Sequence, residues 1–264
     1  SRFGAVVWMP AEDSLCCLAA HNFFFDCVGG IPAVLRVDNT KTAVVRGAGH
    51  WGQLNDSYRR YATTVRFHVD PCAPYSPEHK GKVERAVRTH RGIDLTRRPW
   101  DSMQELQAAT DDAVQARARH RRCPATGGSV FDAWQAERAA LAPLPILPAP
   151  FDEVATRRVS RDGLVAFEGR QYSVPFAYLE RQVEVRGGAG CVQVLADQQV
   201  IAQHPRHTER RLLIEPAHYE GPDTARVRAP TPLGRMGRRL QELAAMPVQQ
   251  RPLDLYAALA EVAR

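Results

Sequence analysis

The stretch PYSPEHKGKVERAV, Pro74 to Val87, decides how the first half of the chain is read. Ser76 has the side chain of a helix N-cap, Pro77 suits the first helical position, where its missing N–H costs nothing, and Glu78 favours the positive end of the helix dipole. The pattern predicts a helix starting at Pro77. Val83, Val87 and His90 then recur at i, i+4 and i+7, a stripe expected to face a core, while Glu84 lies about 100° round from Val83, at the stripe's edge. Lys80, Glu84, Arg88 and Arg91 line the adjacent face, and Gly81 leaves room for a close approach.

Upstream, FGAVVW (Phe3 to Trp8) is an apolar, β-branched run that predicts a buried strand, and Ala11 to Val28 has helical apolar spacing closed by Gly29-Gly30. Strands are expected at Ala33 to Val37 and Val65 to Val69, with a helix from about Gln53 to Thr64 between them. Alternation of this kind is an α/β sheet, and it puts Asp38-Asn39 at the C-terminal end of a strand, where open α/β sheets gather ligands. Downstream, helices are expected at Ser102 to Arg121 and Val130 to Leu141, followed by the proline-rich APLPILPAP, residues 142–150, read as an extended linker. Short alternating segments with turns from Phe151 to Ile214 predict a small all-β barrel. The organisation expected is therefore 1–141, an α/β domain with trailing helices; 142–150, a linker; 151–214, a β-barrel; and 215–264, a basic tail, helical at Leu253 to Val262.

With 264 residues, 44% hydrophobic and 24% charged, the composition is that of a soluble globular chain. No apolar run reaches membrane-spanning length and no signal peptide opens the sequence, so a cytoplasmic protein with no membrane partner is expected. The six cysteines make no CxxC pair and no Cys/His cluster of zinc spacing, which points to neither a disulfide framework nor a structural zinc. The formal charge of +6 is locally concentrated: Lys80 to Arg98 holds seven Lys or Arg against two acids, and RARHRR (Arg117 to Arg122) adds four arginines. Such clusters are either solvated helix faces or the footprint of a polyanion. Of the 35 basic side chains only Lys41, Lys80 and Lys82 are lysines, which suits sites wanting a compact point charge where the rest of the chain uses planar forks.

Asp38 at a strand end and Glu84 on a helix, each with lysine nearby, are the residue types for a divalent metal and phosphate. Carboxylates are hard oxygen ligands for Mg²⁺ or Mn²⁺, and the cations hold phosphodiester. A turn at Asp38-Asn39 and a salt-bridged surface acid at Glu84 remain the alternative reading of the same residues.

VLRVDNTKTAV followed by PYSPEHKGKVERAV resembles the catalytic core of the DDE integrase and transposase superfamily, closest to insertion-sequence transposases of the IstA type. FFFDCVGGIP, PATGGSVFDAWQAERAALAPLP and GRQYSVP agree with it. The resemblance implies a partial RNase H-like catalytic core followed by a small SH3-like barrel that binds DNA, with a helical tail. It implies Asp38 as the second catalytic acid and metal ligand, Asn39 as its companion, and Glu84 as the third. Lys41, Lys80, Lys82, Arg88 and Arg91 become DNA contacts. The family's first acid lies upstream of the position matched by Ser1, and Glu12, Asp13 and Asp26 are poor substitutes for it.

The implied function is metal-dependent strand transfer of transposon 3′ ends into target DNA, with two Mg²⁺ or Mn²⁺ ions in the complete enzyme and no activity expected of these 264 residues alone. The implied partners are transposon-end and target DNA, further copies of the transposase on that DNA, and an AAA+ ATPase helper of the IstB type. The alternative is a non-catalytic DNA-binding fragment or regulator that competes for transposon ends. Tyr172, in the barrel's YSVP signature, reads more readily as a core tyrosine than as a DNA contact.

Overall fold

Asp13 accepts the Cys16 N–H at 2.7 Å and so caps α1, Ser14–Val28, which closes on Gly29 in the left-handed region (φ 73°) with the Gly29 N–H returned to the Phe25 carbonyl. The helix begins later than the apolar spacing predicts because Asp13 spends its carboxylate on the cap. The structure is a computed structural model that describes residues 1–38, 40–46, 53–72, 85, 87, 88, 95 and 99–221. The chain divides into two compact units, Ser1–Val154 with Gly187–Ala189, and Ala155–Arg186 with Gly190–Arg264. The described residues form a mixed α/β structure with several small sheets, and none of their helices is long and apolar enough to cross a membrane.

In the first unit, β1 (Val34–Val37) runs parallel to β4 (His68–Pro71), pairing Val34 with His68 through Val37 with Pro71. Between them lie β2 (Val44–Arg46) and β3 (Gln53–Leu54), an antiparallel pair too short for the sequence pattern to signal, and α2 (Asp56–Val65). Asn55 caps α2 by accepting from the Ser57 and Tyr58 N–H groups. The helix holds Val65, Arg66 closes it at φ 70°, and the strand expected from Val65 starts only at His68. The core gathers Leu18 and Phe25 of α1, Val37 of β1, Tyr58 and Tyr61 of α2, Phe67 and Phe151.

Phe3 to Trp8 is not a strand. It lies along α3 (Met103–His120, capped by Ser102), where the Gln107 side-chain amide takes the role of a strand neighbour: its Oε1 accepts the Trp8 N–H at 3.0 Å and its Nε2 donates to the Val6 carbonyl at 2.8 Å. One side chain thus meets the backbone demand that a ladder would have met. Trp8 Nε1 donates to Thr110 Oγ1 at 2.8 Å, and Phe3 stacks on Trp134 of α4 (Val130–Glu137) with ring centroids 4.3 Å apart. The proline-rich segment after α4 belongs to this unit. Ala142 bridges Ile31, the Pro148 carbonyl accepts from Asn22 Nδ2 at 2.9 Å, and Phe151 is buried.

The described residues of the second unit form β-strands joined by turns and two short 3-10 helices, Phe176–Tyr178 and Pro216–Tyr219. β5 (Glu153–Arg158), β8 (Gln182–Gly187), β9 (Cys191–Ala196) and β10 (Gln199–Pro205) form one sheet in the order β10-β9-β8-β5. β6 (Leu164–Phe167), β7 (Arg170–Ser173) and β11 (Leu212–Leu213) form another in the order β11-β7-β6. Two hairpins turn on residue pairs with positive φ, Glu168-Gly169 (48° and 71°) and Asp197-Gln198 (50° and 66°), the backbone signature of tight two-residue turns matched to strand twist. Inward residues alternate along the strands, Val183 and Val185 facing Val192 and Val194 in one buried cluster. Tyr172 is in that cluster and fully buried, a core residue. The helix expected at Leu253 to Val262 lies outside the described residues.

Candidate catalytic and phosphate-binding site

β1 ends at the buried Val37, and the next residue, Asp38, is exposed. The step from core to surface across one peptide bond follows from the period-two alternation of a strand, and it presents a carboxylate at the C-terminal end of a parallel pair. Beyond it the chain turns tightly. The Thr40 carbonyl accepts the Ala43 N–H at 3.0 Å and the Val44 N–H at 2.8 Å, Ala43 is buried, and Lys41 is exposed within that turn. Asp38 thus lies just before a hydrogen-bonded turn and Lys41, three residues on, within it. Arg36, one strand position back on the same face as Asp38, is committed elsewhere: it pairs with Asp70 on β4, its register partner, at 2.6 Å.

Beside Asp38 a depression of about 350 Å³ is floored by apolar groups of α1 and β1, among them Cys17, Ala20, His21 and Phe24. His21 is the residue here that sequence reading did not single out. Its Nδ1–H donates to the Cys17 carbonyl at 2.7 Å and its Nε2 accepts from the Tyr58 hydroxyl at 2.9 Å. Both ring nitrogens are satisfied with the ring neutral, and burial holds its pKa below the ordinary value of 6.5. Rings of Phe25, Tyr58, Tyr61 and Phe67 surround it. It is a structural histidine beneath the site, and its signal in the sequence was only its place on α1 four residues after Cys17.

Arg88 is exposed on helical backbone, as are Arg85 and Val87. Val87, expected on the core-facing stripe, is 45% exposed. Positions 85 and 87 lie about 200° apart around a helix, so exposure of both means that the helix is not embedded at this point. Glu84, Lys80, Lys82, Arg91 and Asn39 lie outside the described residues. Among the described residues no group of three His, Cys, Asp or Glu side chains gathers as a metal cluster. Of the other acids upstream of Asp38, Asp13 is the α1 cap, and Glu12 and Asp26 are exposed.

A second set of basic groups, which sequence reading also missed, lies in the second unit. Arg157, Arg170 and the run Arg206 to Arg211 are far apart in sequence; the β6–β7 register and the side-chain hydrogen bonds of Arg157 to the Ala166 carbonyl, Arg170 to the Thr208 carbonyl and Arg206 to Glu168 bring them to the Glu168-Gly169 turn.

Comparison with known proteins adds kinship to this geometry. The family described as Mu transposase, C-terminal domain, matches residues 144–215. The chain is 32% identical over 194 residues to a transposase for insertion sequences IS1326/IS1353 from Pseudomonas aeruginosa, an alignment covering 71% of this chain and 37% of that protein. It is 32% identical over 200 residues to a transposase from Aminobacter aminovorans (72% and 38%). It is 26% identical over 207 residues to the transposase for insertion sequence element IS232 of Bacillus thuringiensis (74% and 46%). The chain thus spans less than half the length of these relatives.

Proposed function

The chain is a homologue of insertion-sequence transposases, and from that premise we propose that it forms part of a DNA strand-transfer enzyme of the DDE class, with Asp38 and Glu84 as two of its catalytic acids. The observation that carries this reading is the exposed Asp38 at the C-terminal end of parallel strand β1, next to a rigid turn bearing Lys41. The first unit is read as a partial RNase H-like core, which the parallel β1–β4 pair with α2 in the connection supports. The second is read as a small SH3-like barrel that binds DNA, supported by its two small sheets and by the match of residues 144–215 to a transposase C-terminal domain.

The donor chemistry suits a hard divalent cation. An exposed carboxylate is the oxygen ligand that Mg²⁺ or Mn²⁺ takes, Asp38 and Glu84 would hold it, and once bound it would stabilise charge developing on a phosphodiester. The chain's own groups have separate tasks. Lys41, Lys80, Lys82, Arg88 and Arg91 would hold phosphates of the DNA, and β1 with the Thr40 turn fixes the Asp38 backbone. The substrates in this reading are transposon ends and target DNA, approached by more than one copy of the transposase with an AAA+ helper of the IstB type.

The test is Asp38→Asn and Glu84→Gln, each in a chain of the relatives' full length. Strand transfer is expected to fall by roughly three orders of magnitude or more, the scale of losing a group that acts on the transition state. Binding to transposon-end DNA should stay within about twofold. Transfer at the unsubstituted rate by either variant would sink the assignment.

A further inference from the structure

We propose that the second unit carries a docking face for the phosphate backbone of duplex nucleic acid at the tip of the β6–β7 hairpin, built from Arg157, Arg170, Arg210 and Arg211. The inference rests on the reading of the chain as a DNA-acting transposase homologue and goes beyond it in naming a surface and a mode of contact.

The geometry begins with two guanidinium groups tethered to backbone carbonyls. Arg170 donates from Nε and Nη2 to the Thr208 carbonyl at 2.9 and 2.7 Å, and from Nη1 to the Glu168 carbonyl at 3.3 Å. Arg157 donates from Nε to the Ala166 carbonyl and from Nη1 to the Thr156 carbonyl, both at 3.0 Å. Among the described residues neither pairs with a carboxylate. A guanidinium bonded to neutral carbonyls is held in one orientation and keeps its full charge, and with five N–H donors each still has two or three to offer.

Register brings the rest together. Ala166 pairs with Gln171 and Phe167 with Arg170, and the Gln171 N–H donates to the Arg211 carbonyl at 2.8 Å. The side chains of Arg210 and Arg211 are exposed. Glu168, the acid of the turn itself, is spent on Arg206, which meets both its oxygens and holds its carboxyl below the usual range. Glu209 is the other acid in the run. Five arginines against two acids, one of them already paired, leave the tip strongly positive.

Two features choose duplex backbone over other polyanions. Tyr172 is fully buried and Phe167 4% exposed, which leaves the His207 imidazole as the exposed ring among the described residues of the tip, a single ring where single-strand binders stack successive bases on several. The exposed chemistry is positive charge and N–H donors on rigid strands, which reads phosphates and not base edges. Contact of this kind positions a protein on a duplex without regard to sequence.

The experiment measures binding of the 264-residue chain to a labelled mixed-sequence DNA duplex, and to the single strand, across a series of salt concentrations. Two double variants are compared, R157Q/R170Q and R210Q/R211Q. Among the described residues the side chains of the second pair make no contact on which the fold depends, so this pair reports on the face even if the first loosens the hairpin; thermal midpoints check both. Each pair is expected to weaken duplex binding about tenfold at moderate salt and to flatten the log–log salt slope by about two, near 0.9 for each lost phosphate contact. If the parent chain binds duplex with a steep salt slope and both variants match it, the face is wrong and the DNA reading stands. A parent chain with no salt-dependent duplex binding overturns both. Tighter binding to the single strand than to the duplex overturns the duplex assignment.

Discussion

Two buried tyrosines show how far the worth of a hydroxyl depends on what faces it. Tyr58 donates to His21 Nε2 at 2.9 Å inside the first core, while the Tyr172 hydroxyl, buried in the second, has no partner among the described residues. The same substitution should therefore act with opposite signs. Tyr58→Phe strands a buried imidazole nitrogen and is expected to cost about 1–3 kcal/mol; Tyr172→Phe removes a desolvated group and is expected to be neutral or to stabilise by up to about 1 kcal/mol. Chemical denaturation of the two variants decides it, and equal destabilisation would refute the contrast. His21 adds a pH dependence. Its folded pKa lies below its unfolded one because burial disfavours the cation, and His204 and His218 are displaced in the same direction, again chiefly by burial. Protons then bind the unfolded chain more readily, so the stability these groups contribute is complete above about pH 6.5 and declines as the pH falls through that value toward their folded pKa values. Unfolding midpoints measured on either side of that range should drop on the acid side; a flat profile would show that these rings are not neutral in the fold.

Elements were legible where a local rule fixed them. α3 and α4 start at the Ser102 and Ser129 caps, where the pattern put them, and Gly29-Gly30 ends α1 where the spacing said it would; the Asp13 and Asn55 caps start α1 and α2 later than the spacing predicts. FGAVVW was misread because a strand and an extended segment clamped by a glutamine carry the same pattern; the difference is made by Gln107, about a hundred residues away. The glycine pair is open to a direct test. Gly29 needs its φ of 73°, and a Cβ there would meet the flexible end of Arg138 at 2.7 Å, which can move aside. A Cβ on Gly30 would meet Leu141 Cβ at 2.7 Å and the Ala142 carbonyl at 2.8 Å, against the bridge that ties the proline-rich segment to Ile31. Gly29→Ala should cost about 1 kcal/mol through left-handed strain. Gly30→Ala should cost more, about 1–3 kcal/mol, because packed atoms must shift. Denaturation midpoints in the reverse order would mean that the Ile31–Ala142 contact yields easily.

At the scale of the molecule, the two kinds of charge fall in different units and, in the functions proposed, have different tasks. Asp38 was legible because the strand pattern and the acid are adjacent in the sequence. The arginine tip was not, because Arg170 and Arg210-Arg211 come near one another only through the register of β6, β7 and β11, and Arg157 joins them only by its hydrogen bond to the Ala166 carbonyl. The acid belongs to the first unit and the carbonyl-tethered arginines to the second. Guanidinium groups need no metal to meet phosphate, whereas the proposed chemistry at Asp38 does. Binding and catalysis should therefore separate under chelation. Removing divalent ions with EDTA from a chain of the relatives' full length should abolish strand transfer and leave duplex affinity within about twofold at fixed ionic strength. Raising the salt should weaken binding steeply whether or not metal is present, because counterion release from the duplex does not depend on the acids. If chelation instead removed binding and chemistry together, the metal would be organising the DNA-contacting surface itself, and the division of labour drawn here between carboxylate and arginine would have to be given up.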